Sequence, residues 1–180
     1  MFLPKFIIYT GPMYSTKTTR LLIRLDRAKY QGFRTVAFKP SSDNRYAPDE
    51  IVTHSGLKFP AVNVQTGEDI LQLGLHQEVI GVDEAFMIPG SAKALIELYK
   101  MGKTVVVSSI QMSHAGHPFE EMEKMFPWAT HIKVCPSVCS ISGEDAFYTV
   151  KTGGGDSLIE VGGKEMYEPR SFHNTPFLKV

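Results

Sequence analysis

Residues 6–19 read FIIYTGPMYSTKTT: an apolar run rich in β-forming residues, then Gly11, then a short polar loop ending in Lys17-Thr18-Thr19. A buried strand feeding a loop that opens a helix gathers free backbone N–H groups, a helix N-terminus and an ammonium at one point. That combination suits phosphate. The pattern G-x-x-x-x-G-K-[ST] is met by Gly11, Lys17 and Thr18 and broken at Thr16. Glycine in such a loop serves a backbone with positive φ or a close approach to phosphate, and a β-branched residue tolerates neither well. The stretch therefore predicts a phosphate loop one residue short of its pattern, built from Gly11, Pro12, Met13, Tyr14, Ser15, Thr16, Lys17, Thr18 and Thr19.

Outward from the loop, residues 19–30 (TRLLIRLDRAKY) put Leu21, Leu22, Leu25 and Ala28 on one face at helical spacing. Gln31-Gly32 closes this helix, glycine supplying the C-terminal turn. Residues 34–39 (RTVAFK) predict a second strand, stopped by Pro40. Strand, helix and strand form a βαβ unit, with parallel strands and a right-handed crossover. Residues 41–57 lack periodicity and predict a long loop with a short edge strand near Ile51–Thr53. Beyond them the sequence predicts a short helix at 67–75, a buried strand at 78–86 and a helix at 91–100 capped by Ser91. A β-branched strand at 104–110, a helix from Pro118 and a strand at 130–134 complete an α/β core with a parallel sheet over residues 1–134. From Cys135 to the end, Ser, Gly and acidic residues alternate with short β-like pieces at 146–151 and 157–161, separated by Gly153-Gly154-Gly155. Residues 135–180 thus predict a small β-rich appendage, too small to be stable without a staple or docking.

The 180 residues suffice for a sizeable core. Lys plus Arg and Asp plus Glu number 19 each, so overall charge favours neither nucleic acid nor an anionic membrane as partner. The two cysteines, Cys135 and Cys139, do not make a secreted disulfide framework. No apolar stretch approaches the ~18 residues of a membrane span, and Met1–Lys5 leads into a strand and not into a signal sequence. A cytoplasmic protein is expected.

A second feature strengthens the first. Residues 79–84 (VIGVDE) form an apolar strand ending in Asp83-Glu84. A phosphate-loop enzyme uses an Asp placed this way to hold Mg²⁺ across from the loop hydroxyl, here Thr18. In open parallel sheets ligand sites gather at the C-terminal ends of strands, where both features fall.

These residues also carry a family resemblance. The run GPMYSTKTT, then Lys39-Pro40, Asp43-x-Arg45-Tyr46, Thr53-His54, residues 79–84, Pro118-Phe119 and Gly162-Gly163-x-x-x-Tyr167-Glu168-Pro169 resemble the type II thymidine kinases, the cellular, bacterial and phage group. The match runs in order from Phe6 to about Pro169. The resemblance implies a RecA-like core with a small, zinc-ribbon-like lasso domain, usually in a homotetramer, and transfer of phosphate from ATP to the 5′-OH of thymidine for DNA synthesis. On that basis Lys17 stabilises the β- and γ-phosphates, Thr18 and Asp83 serve Mg²⁺, Glu84 is the base for the 5′-OH, and Arg45 steadies the transferring phosphoryl with Asp43 beside it. Adjacent carboxylates on a strand point opposite ways, so one can face the metal and the other the nucleophile. The base is held by Val161, Gly162 and Gly163 through main-chain groups, with Tyr167 closing over the nucleoside and Met13, Met87, Phe119 and Thr149 near the thymine ring.

Four departures from the family pattern matter. Thr16 replaces glycine. Cys139 matches the first of four zinc ligands, but Ser142, Ser171 and Asn174 occupy the others, and adding Cys135 or His173 does not make a tetrahedral set, so no structural zinc is expected. Phe86 follows Ala85 where the family has Gln, and His114 takes the place of a base-pocket aromatic. The last two bear on the choice of deoxynucleoside more than on phosphoryl transfer. Two alternatives stay open at this point: a nucleotide-binding pseudokinase that has lost turnover through Thr16, and a phosphate-loop ATPase with another partner.

Overall fold

A computed structural model of the chain describes residues 3–43, 49–154 and 165–178. In chain order its core contains β1 (Phe6–Thr10), α1 (Lys17–Tyr30), β2 (Thr35–Pro40), β3 (Glu50–Val52), β4 (Lys58–Pro60), β5 (Val62–Val64), α2 (Gly67–Gly74), β6 (Val79–Asp83), α3 (Ser91–Lys100), β7 (Thr104–Ser109), α4 (Glu120–Met125) and β8 (His131–Val134). Six strands make one wholly parallel sheet in the order β5-β2-β6-β7-β1-β8. β3 and β4 form a separate antiparallel hairpin. Downstream, β9 (Ser137–Val138) pairs antiparallel with β10 (Asp145–Ala146), and β11 (Tyr148–Lys151) with β12 (Tyr167–Arg170).

Strand residues alternate between two cores, because successive side chains leave a strand on opposite faces. Phe6, Ile8, Phe38, Ile80, Val82, Val105 and Val107 pack with residues of α2, α3 and α4. Ile7, Ala37, Val79 and Val106 pack with Leu21, Leu22, Leu25 and Ala28 of α1. Each Leu or Phe buried this fully contributes roughly 1.5–3 kcal/mol. Gly81 in β6 lets α1 approach: a Cβ there would lie 2.5 Å from a Leu25 methyl. The sheet covered on both faces explains why β6 and β7 read as nearly unbroken apolar runs.

The sequence placed most of these elements within two residues. The strand expected at 78–86 ends at Asp83, because Glu84 turns left-handed (φ 49°, ψ 44°) into a 3₁₀ turn at Ala85–Met87. The 41–57 loop yields its short strand but pairs it with β4, and β5 joins the sheet as an edge strand the sequence did not announce. Ser91 does not cap α3: Gly90 is the N-cap (φ 78°), while Ser91 Oγ donates to Ala85 O at 2.9 Å. The first N–H groups of α3 go instead to Glu121 of α4, which accepts from Gly90 N at 2.9 Å and Ala92 N at 2.7 Å. A carboxylate at a helix N-terminus also suits the dipole. The strand expected at 146–151 is broken at Phe147, and the piece expected at 157–161 lies outside the described residues.

Candidate functional site

β1 delivers the chain to the loop at the C-terminal edge of the sheet. Gly11 (φ 141°) passes beneath the segment after β8, where a Cβ would stand 2.1 Å from Cys135 O, and Cys135 N donates to Thr10 O at 2.7 Å. Only glycine fits there. Among the described residues, the non-glycine positions with positive φ are Tyr14 (63°), Thr16 (65°) and Glu84 (49°), and all three belong to this site. Such backbones cost of order 1–3 kcal/mol each and gather where function demands them. Thr16 therefore keeps the left-handed conformation that the missing glycine would adopt. It is the N-cap of α1, with no side-chain cap, and its carbonyl accepts from Arg20 N at 3.1 Å.

Lys17 is 6% exposed and its Nζ donates to Pro12 O at 2.6 Å and Ser15 Oγ at 3.3 Å, so the ammonium is drawn into the concave side of the loop. Thr18 Oγ1 donates to Asp83 Oδ1 at 3.0 Å, joining the first turn of α1 to the tip of β6 across 65 residues of sequence. Burial pushes the Asp83 carboxyl up from its ordinary pKa, against the Ser108 and Thr18 hydroxyls and the Lys17 ammonium. An oxygen set of one carboxylate and one hydroxyl, leaving room for water and phosphate oxygens, is the kind a Mg²⁺ ion takes. Among the described residues no group of three or more His, Cys, Asp or Glu is placed to hold a metal ion.

Met13 to Thr19, Asp43, Asp83 and Glu84 line one cavity of about 490 Å³. The left-handed turn at Glu84 is what brings its carboxylate to the same cavity as Asp83. Strand alternation, the expected reason, does not apply because Glu84 is no longer in the strand. The far wall comes from β3 and the turn after it, Glu50 to Ser55, with the His54 ring 4.9 Å from that of Tyr14. Lys39, at the end of β2, also lines the cavity; it is 5% exposed and donates to Glu50 O at 3.2 Å. Lys39, Glu50 and Thr53-His54 were not singled out as site residues from sequence. A lysine ending an otherwise apolar strand was the available clue to Lys39, since a buried ammonium is costly unless partnered.

The other expected residues sit beside this cavity. Thr149 Oγ1 accepts from Met13 N at 3.2 Å, tying β11 to the phosphate loop. Gly11 and Pro12 meet Tyr148 and Thr149 around a small gap under the loop. Tyr167 is 8% exposed in β12, with the Lys151 ammonium 5.9 Å from its ring centroid and the His114 ring at 6.5 Å. Phe119 is buried with its ring 4.4 Å from that of Phe86, and Met87 is half-buried in the 3₁₀ turn after Glu84. Of this group only Met13 lines the large cavity. Arg45, Val161, Gly162 and Gly163 lie outside the described residues. No helix among the described residues is long and apolar enough to cross a membrane.

Residues 5–173 match the family model for thymidine kinase. The thymidine kinase of Thermococcus kodakarensis (strain ATCC BAA-918 / JCM 12380 / KOD1) is 35% identical over 176 residues, which cover 91% of this chain and 89% of that protein.

Proposed function

The chain belongs to the thymidine kinase family, and on that premise we propose that it transfers the γ-phosphate of Mg²⁺-ATP to the 5′-OH of thymidine or a related deoxynucleoside. The observation that carries this reading is the convergence of Lys17, Thr18, Asp83 and Glu84 on one cavity, with Thr18 and Asp83 already bonded. A plain nucleotide-binding site has no use for a second carboxylate beside the metal-binding one.

In this reading the loop N–H groups from Tyr14 to Thr19 cradle the phosphates, and Lys17 leaves Pro12 O to meet the β- and γ-phosphate oxygens. Thr18 and Asp83 hold Mg²⁺, which neutralises charge on those oxygens when bound. Glu84 accepts the 5′-OH proton, Arg45 steadies the transferring group, and Asp43 lies beside it. The base sits against Met13, Met87, Phe119 and Thr149, under Tyr167 and the main chain of Val161, Gly162 and Gly163. The left-handed backbone at Thr16 favours an active kinase over a pseudokinase, since the loop keeps its shape despite the β-branched residue.

The reading divides the chain into a nucleotide-binding core, 1–134, and a lasso domain, 135–180, and assigns it to the cytoplasm, without zinc, nucleic acid or membrane as partners. A homotetramer belongs to it too. The edge strand β8 supports association, with Ile132 49% and Val134 45% exposed.

The test is to incubate purified protein with Mg²⁺-ATP and each deoxynucleoside in turn and look for monophosphate. Thymidine monophosphate is the expected product. No monophosphate from any nucleoside, with ATP binding intact, would overturn the proposal.

A further inference from the structure

The resemblance implies a zinc ion held at four positions, which in this chain are Cys139, Ser142, Ser171 and Asn174. Zinc takes thiolate, imidazole or carboxylate ligands in tetrahedral sets, and one thiol, two hydroxyls and a carboxamide do not supply one. The residues present do not fit the metal. They do fit one another.

Asn174 Nδ2 donates to Ser171 Oγ at 3.1 Å, and Ser171 Oγ lies 3.3 Å from Ser142 Oγ. Ser142 Oγ in turn donates to Glu144 Oε2 at 2.8 Å. Each hydroxyl has one proton to give, so the three contacts run as a single directed chain from amide to carboxylate with no donor in conflict. Around it, Thr175 Oγ1 donates to Ser171 O at 2.8 Å, and Cys139 N donates to Glu144 O at 2.8 Å. Cys139 and Ser171 are buried and Thr175 is wholly so, which keeps water from the Ser171 end of the chain of bonds, while Ser142 and Glu144 at its other end are exposed.

We propose that this hydrogen-bonded cluster is a metal-free staple that fastens residues 139–144 to residues 171–175 where the family implies zinc. The two segments flank the β11–β12 pair that carries Thr149 and Tyr167, so the staple holds the base of the appendage next to the phosphate loop. Ser171 is the hub, touching Ser142 and Asn174 through its hydroxyl and Thr175 through its carbonyl. The inference does not depend on the kinase reading, since it concerns how the appendage is held and is tested without turnover.

The experiment uses the full chain produced in zinc-supplemented medium. Metal analysis is expected to find well under one zinc per chain, and EDTA is expected to leave the Tm unchanged. Ser171→Ala removes the hub and is expected to lower the Tm by about 2–4 °C, the loss of roughly one to two net hydrogen bonds in a chain of this size. The triple variant Ser142→Cys, Ser171→Cys, Asn174→Cys, added to Cys139, is expected to take up one zinc and to gain a Tm that EDTA lowers. Stoichiometric zinc in the unaltered protein, an EDTA-sensitive Tm, or a Ser171→Ala protein as stable as its parent overturns the proposal. The first two measurements need no variant to fold.

Discussion

The phosphate side and the nucleoside side of this molecule are built differently. The phosphate cavity sits on the C-terminal edge of a parallel sheet, and its groups come from the ends of β1, β2 and β6 and the first turn of α1. Sheet register sets the positions of the strand ends before any side chain is considered. The nucleoside side rests on two-stranded pieces and a hydrogen-bonded cluster outside the sheet, joined to the phosphate loop by the bond from Met13 N to Thr149 Oγ1. Short strand pairs are marginally stable alone. The difference lies in what holds each side: sheet register positions the charged groups of the first, whereas local hydrogen bonds fasten the second.

Substitutions can break that contrast or sharpen it. The largest effect is expected for Glu84→Gln, which should cut kcat by roughly 10²-fold or more with ATP affinity nearly intact, as measured by steady-state kinetics beside equilibrium binding. An unchanged kcat would remove Glu84 from the chemistry. Asp83→Asn should also abolish most Mg²⁺-dependent activity, yet raise the Tm, because an ionised carboxylate is costly at that buried position. The sign follows from its raised pKa: ionised Asp83 costs folding stability above that raised value, and the cost fades as pH falls towards the ordinary carboxylate range. The Tm advantage of Asp83→Asn should therefore be greatest near neutral pH and shrink in acid. A variant less stable than its parent at pH 7 would contradict this account.

Lys39→Met is expected to have an intermediate effect, lowering kcat/KM for ATP by about 10-fold through loss of a cavity cation and of the tie to Glu50 O, with Lys39→Arg recovering part of it. Equal kinetics for Lys39→Met would make the lysine a bystander. On the other half, Thr149→Val should raise KM for thymidine a few-fold and leave ATP binding alone, since it leaves Met13 N without its acceptor. The smallest effect is expected for Thr16→Gly. Relief of about 1–3 kcal/mol of strain at the left-handed Thr16, less about 1 kcal/mol for the freer unfolded glycine, should appear as a Tm gain of a few degrees. Tighter ATP without a Tm change would mean that the strain develops only on binding.

Much of the phosphate side was legible in the residues because it depends on local rules. An apolar run, a glycine, a Lys-Thr pair and a strand ending in two carboxylates each announce themselves over a few positions. The hairpin wall and β5 were not legible, because segments of three residues carry too little periodicity to distinguish strand from loop. Glu121 as the cap of α3 was hidden for another reason: its partners at Gly90 and Ala92 are about 30 residues away and no spacing rule connects them. Lys39 was visible as a motif residue, but its burial is a property of the packed hairpin and not of its neighbours in the chain.

By itself, then, the sequence determined a strand–loop–helix of the kind that suits phosphate, an acidic strand tip after it, and the absence of a zinc-ligand set at residues 139, 142, 171 and 174. Those follow from residue type and short spacing, which physical chemistry reads directly. Tertiary structure alone decided that Thr16 takes a left-handed backbone, that Glu84 turns out of its strand into the cavity of Asp83, and that four polar side chains from two distant segments bond one another where a metal would be implied. Each of these depends on where the rest of the chain forces the backbone to go, and that is set by burial summed over the whole fold.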